Sequence, residues 1–85
     1  MKVRLRGYRR ISITGEYIKL DGLLKLSSIA STGGEAKYII QSGEVSVGGM
    51  PCLARGRKIR PGDIVKYGND IVIVENADTG FSHPL

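Results

Sequence analysis

The spacing of apolar residues changes along this 85-residue chain, and each change predicts an element. Residues 2–6 alternate basic and apolar, and Ile11 and Ile13 alternate again after a bend at Gly7. Alternation with a period of two predicts extended backbone with one half-buried face. Glu16-Tyr17-Ile18-Lys19-Leu20 is a further short extended run. It leads to Asp21, read as the N-cap of a first short helix that carries Leu23, Leu24, Leu26 and Ile29 at helical spacing. Thr32-Gly33-Gly34-Glu35 has the form of a capping box, in which the Thr32 hydroxyl accepts from the Glu35 amide and Glu35 reaches back. A second helix is expected from about Gly33 to Ser42. Its inward face is Ala36, Ile39 and Ile40, and Gly43 follows in the left-handed conformation.

Beyond Gly43 the pattern is that of strands. Glu44-Val45-Ser46-Val47 alternates, Gly48-Gly49 is a two-residue hairpin signal, and Met50 to Leu53 returns. Pro61-Gly62-Asp63 turns into Ile64-Val65-Lys66-Tyr67, and Gly68-Asn69-Asp70 turns into Ile71-Val72-Ile73-Val74. Residues 76–85 read as a loose tail. The expected class is α+β, with two helices on one face of a small, mostly antiparallel sheet. No repeat or Pro/Gly/Ser-rich linker divides the chain.

Charge adds the first functional indication. Thirteen Lys and Arg against eight Asp and Glu give a net charge of +5, which favours a polyanionic partner. The excess is clustered: Lys2, Arg4, Arg6, Arg9 and Arg10 lie within the first ten residues, and Arg55, Arg57, Lys58 and Arg60 within six, with no acid in either stretch. A single cysteine, Cys52, cannot form an internal disulfide, which suits a reducing compartment, and it is expected as a small buried hydrophobe. No run approaches the roughly 18–20 apolar residues of a membrane span, and the charged start is not followed by the apolar stretch of a signal peptide. A cytoplasmic protein is expected. His83 has no Cys or His at metal-ligand spacing, and no catalytic pair stands out, so neither enzyme activity nor a cofactor is expected.

Two local features fit phosphate binding. Ser31-Thr32-Gly33-Gly34 opens the second helix, where free amides and the positive dipole end favour an anion and two glycines leave room for it. Lys37 stands one turn further on. Arg55-Gly56-Arg57-Lys58 forms a glycine-relaxed basic loop. Among the aromatics, Tyr8 is a candidate for stacking on a base or for packing on the sheet, whereas Tyr17, Tyr38 and Tyr67 are read as core-edge residues.

The runs Tyr17–Leu26, Ala30–Lys37 and Gly43–Gly49, closed by Arg55-Gly56-Arg57-Lys58-Ile59-Arg60-Pro61-Gly62-Asp63, resemble the S-four RNA-binding domain, or αL motif. The closing stretch is similar to small stand-alone bacterial members of the YaaA type. The resemblance covers about residues 16–74. It implies two helices against a bent sheet, with RNA held by the second helix and the neighbouring loops. Carried onto this chain, the RNA-facing positions are Ser31, Thr32, Lys37, Arg55, Arg57 and Lys58, together with the Gly33 and Gly34 amides. The wider family has an arginine where Gly33 stands and an asparagine where Gly48 stands. The glycine pair is typical of the stand-alone subgroup, which would lean on backbone amides and the Arg55–Lys58 loop. The implied division is a basic extension over residues 1–15, the domain over 16–75 and a tail over 76–85. The implied partner is structured RNA, ribosomal RNA in particular, bound by a monomer without a membrane or small-molecule substrate. Two rivals share the pattern: a sulfur-carrier-like β-grasp protein, which would need a C-terminal Gly-Gly where this chain ends Ser82-His83-Pro84-Leu85, and a detached appendage of an RNA-modifying enzyme.

Overall fold

The structure is a computed structural model that describes residues 8–77. Its elements in chain order are β1 (Tyr8–Ile13), β2 (Ile18–Lys19), α1 (Leu20–Leu26), α2 (Gly33–Gln41), β3 (Val45–Val47), β4 (Met50–Pro51), β5 (Lys58–Ile59), β6 (Ile64–Tyr67) and β7 (Asp70–Asn76). Five strands form one sheet in the order β1-β7-β6-β3-β4, and β2 and β5 form a separate two-stranded pair. The α+β class is as expected. The large sheet is antiparallel except at one edge, where β1 runs parallel to β7 from Tyr8 opposite Ile71 to Ile13 opposite Asn76.

Valines make the inner face of this sheet. Val47, Val65 and Val72 are cross-strand neighbours in a single row, and all three are buried with Val45, Val74 and Ile13. Side chains alternate across a strand, so this row points to one side. There it meets Leu20, Leu23 and Leu24 of α1 and Ala36, Ile39 and Ile40 of α2 in one continuous core. Each fully buried Leu, Ile or Val side chain contributes about 1.5–3 kcal/mol relative to exposure. The β3–β4 connection is the Gly48-Gly49 turn, with φ of +61° and +88°. Both central residues of such a turn need positive φ, which glycine adopts without a Cβ clash.

The helices differ from expectation at their ends. α1 begins at Leu20 with Lys19 as its N-cap and no side-chain cap, so Asp21 lies inside the first turn rather than capping it. The backbone of the 54–57 turn does the capping instead: the Leu20 and Asp21 amides donate to the Arg57 and Arg55 carbonyls at 2.9 and 3.1 Å. Asp21 still complements the positive end of the helix dipole. Leu26, expected in the core, is 55% exposed, while Ile29, past the helix end, packs partly against it. Between them the chain reverses at Ser28, whose φ of +70° is unusual for a residue with a side chain. α2 ends at Gln41, with Ser42 as its C-cap and Gly43 at φ +86°. The returning strand after the glycine turn is Met50–Pro51 only; Cys52 lies just beyond it and is buried, as expected. β7 extends to Asn76, into the stretch read as tail. Residues 2–6 and most of that tail, 78–85, lie outside the described residues.

Candidate nucleic-acid interface

The start of α2 is built by its own sequence. Thr32 adopts extended backbone, and its Oγ1 accepts from the Glu35 amide at 3.0 Å. The Glu35 carboxylate accepts from the Ser31 amide at 2.7 Å, one residue earlier than in a standard capping box. The first amide to bond within the helix turn is Ala36, which donates to the Thr32 carbonyl. The Gly33 and Gly34 amides precede it and donate to no group among the described residues, on an exposed turn. A Cβ at Gly33 would meet nothing within 4 Å, and one at Gly34 only Thr32 Oγ1 at 3.9 Å. Packing therefore does not require either glycine. The turn offers an anion two open amides at a positive helix end, beside one carboxylate that already serves Ser31.

Ala36, Ile39 and Ile40 hold the inner face of α2, which turns Gly34, Lys37, Tyr38 and Gln41 outward as one stripe. Lys37 is on that stripe, a turn from the glycines. Tyr38, read from sequence as a core-edge residue, is instead 76% exposed. Nothing in the local pattern marks it as different from Tyr67, which does pack against the core.

The basic loop is held mainly by backbone, with the Cys52 thiol donating to the Ala54 carbonyl at 3.7 Å. The Arg57 amide donates to the Ala54 carbonyl at 3.0 Å, closing a tight turn. The carbonyls of Arg55 and Arg57 are taken by α1, and Lys58 opposite Lys19 continues into the β2–β5 pair. Lys58 thus belongs to a strand rather than to the loop. Its Nζ lies 5.0 Å from the centroid of the Tyr17 ring, within cation–π range. Arg55, Arg57 and Lys58 are all exposed. Leu53, just before the turn, lies by Gly43 beyond the end of α2, where a Cβ would be 3.9 Å from Leu53 Cδ2. The loop thus runs from the end of α2 to the start of α1.

The two basic clusters of the sequence have different fates. Arg9 lies 3.6 Å from Asp70 and Arg10 3.6 Å from Glu75, both acids belonging to β7. These two pairs are the ion pairs among the described residues, and they leave Lys37, Arg55, Arg57 and Lys58 without an acidic partner. The Arg10–Glu75 pair, largely exposed, contributes about 0–1 kcal/mol, whereas the Arg9–Asp70 pair is half-buried. Together they neutralise much of the charge that β1 brings. Among the described residues there is no grouping of His, Cys, Asp and Glu suited to a metal ion and no helix long and apolar enough to cross a membrane.

Comparison with known proteins gives two findings. The family model described as the S4 domain matches residues 11–75. A Bacillus subtilis (strain 168) protein named "Probable ribosome maturation protein RlbA" is 43% identical over 56 residues, which cover 66% of this chain and 79% of that protein.

Proposed function

Because the chain belongs to the S4 domain family, we propose that it is a non-enzymatic RNA-binding protein that holds structured ribosomal RNA during ribosome maturation. The name of the Bacillus subtilis relative supports the ribosomal part of this reading, and the family match displaces the β-grasp carrier. The aligned region makes up most of that relative, which supports a domain acting without an attached enzyme. The reading further takes the protein to work as a cytoplasmic monomer.

The observation that carries the proposal is electrostatic. In a protein with an excess of cations, Lys37, Arg55, Arg57 and Lys58 are exposed and have no acidic partner, while Arg9 and Arg10 are matched to acids. Unpaired cations on two segments suit a phosphate backbone, which fixes register and orientation without reading sequence. Ser31, Thr32 and the Gly33 and Gly34 amides would complete the phosphate contacts at the start of α2. Neutralising phosphates releases condensed counterions, so affinity should fall linearly with salt on logarithmic axes. Crosslinking the protein to RNA in cells, followed by sequencing, should recover ribosomal RNA fragments. Titrations across a range of salt should show the decline; a flat curve, or an absence of ribosomal fragments, would overturn the proposal.

A further inference from the structure

We infer that Tyr38 is a base-stacking residue and that the RNA recognised by α2 carries an unpaired nucleotide beside its bound phosphate. This rests on the RNA-binding reading above and narrows it from structured RNA in general to RNA with a loop or bulge.

The ring is 76% exposed, the most of any described aromatic, and makes no hydrogen bond or ring contact through its side chain among the described residues. Isolated exposed apolar residues are common and usually carry no meaning. The setting of this one is different. It lies on the outward stripe of α2 with Gly34 and Lys37, and the exposed acid three residues before it, Glu35, accepts from the Ser31 amide. Tyrosine is a weaker helix former than alanine, so the fold gains nothing from the ring there. Four residues of helix separate Gly34 from Tyr38, a rise of about 6 Å. A phosphate held at the glycine amides, with Lys37 alongside, therefore leaves the adjoining base within reach of the ring.

The chemistry selects the kind of RNA. A continuous duplex keeps its base faces stacked on one another and offers an aromatic side chain nothing to stack on. Loops, bulges and ends splay bases out, and aromatic side chains are what such bases stack upon. Stacking needs the π-face alone, so the phenol hydroxyl is dispensable and base identity matters little.

The test uses the full chain with two probes, bacterial ribosomal RNA and a long perfectly paired RNA duplex, titrated at several salt concentrations. The wild type and Tyr38→Phe should prefer ribosomal RNA equally. Tyr38→Ala should bind ribosomal RNA about five- to 150-fold more weakly, the loss of one stacked base. It should bind the duplex unchanged and keep the wild-type salt slope. Alanine is the better helix former at this exposed site, and a melting curve controls for the fold. Ultraviolet crosslinking should attach a nucleotide to the tryptic peptide that begins at Tyr38 in the wild type and not in Tyr38→Ala. Salt-dependent binding with Tyr38→Ala equal to the wild type on both probes overturns the inference and leaves the RNA reading standing. No salt-dependent binding to either probe overturns both.

Discussion

Gly33 and Gly34 sit in ordinary helical backbone, at φ values open to any residue, and neither is needed to make space. Glycine there costs stability, because the unfolded chain has more conformations to lose. Gly33→Ala and Gly34→Ala should each raise folding stability by about 0.4–1 kcal/mol, read from urea unfolding. If the amides contact phosphate, the same substitutions should weaken RNA binding, since a methyl group would stand in the approach path. Opposite signs for stability and affinity are the expected outcome. Alanines that leave both stability and affinity unchanged would mean that the glycines serve neither. Tyr38 and Tyr67 show where reading at this scale fails. Both tyrosines follow a lysine at a point where the pattern allows burial, yet one ring is outside and the other packs on the core. The difference is set by which face of each element meets its neighbour, which a local window does not contain.

Among the elements, the loop of residues 54–57 has two separate parts. Its carbonyls hold the start of α1, and its arginine side chains take no part in that contact. Arg55→Glu, Arg57→Glu and Lys37→Glu should therefore leave the melting curve near the wild type and weaken RNA binding. Each lost phosphate contact should lower the salt slope by about 0.7–0.9. Lys25→Glu in α1 and Lys66→Glu in β6 should weaken binding less; equal losses at all five positions would indicate a diffuse charge effect instead of a defined surface. The helices themselves were legible in the sequence, because apolar spacing and the Thr32–Glu35 pair are local signals. The start of α1 was not. Asp21 resembles a cap, but the capping groups are carbonyls more than thirty residues later in the chain. The two-stranded β2–β5 pair escaped for the same reason, since each of its strands is only two residues long.

For the whole molecule, the sequence suggested a basic extension before the domain, yet Tyr8–Ile13 is an edge strand of the main sheet. Its last residue, Ile13, is buried in the common core. Ile13→Ala should cost about 2–5 kcal/mol of stability in urea unfolding, as for other buried isoleucines. RNA affinity measured well below the unfolding transition should stay near the wild type. A negligible loss would mean that β1 is not held as described. The strand was hard to place from sequence because its partner is β7, at the other end of the chain, and because its arginines suggested solvent. Those arginines meet Asp70 and Glu75 only once the two ends are together.

That parallel pairing also shapes how the protein comes into being. The two helices, with the short β-pair and the loop that caps α1, lie within residues 18–59, and the contacts that join β2 and α1 to the 54–59 segment already span more than thirty residues. Closing β1 onto β7 must wait until the last strand exists, and the entropy of bringing distant segments together is lost before their contacts form. Folds rich in such distant pairings acquire structure more slowly than helical ones. During synthesis, the residues of α1 and α2 leave the ribosome before β7 does, and β7 then closes on β1, which left it about sixty residues earlier.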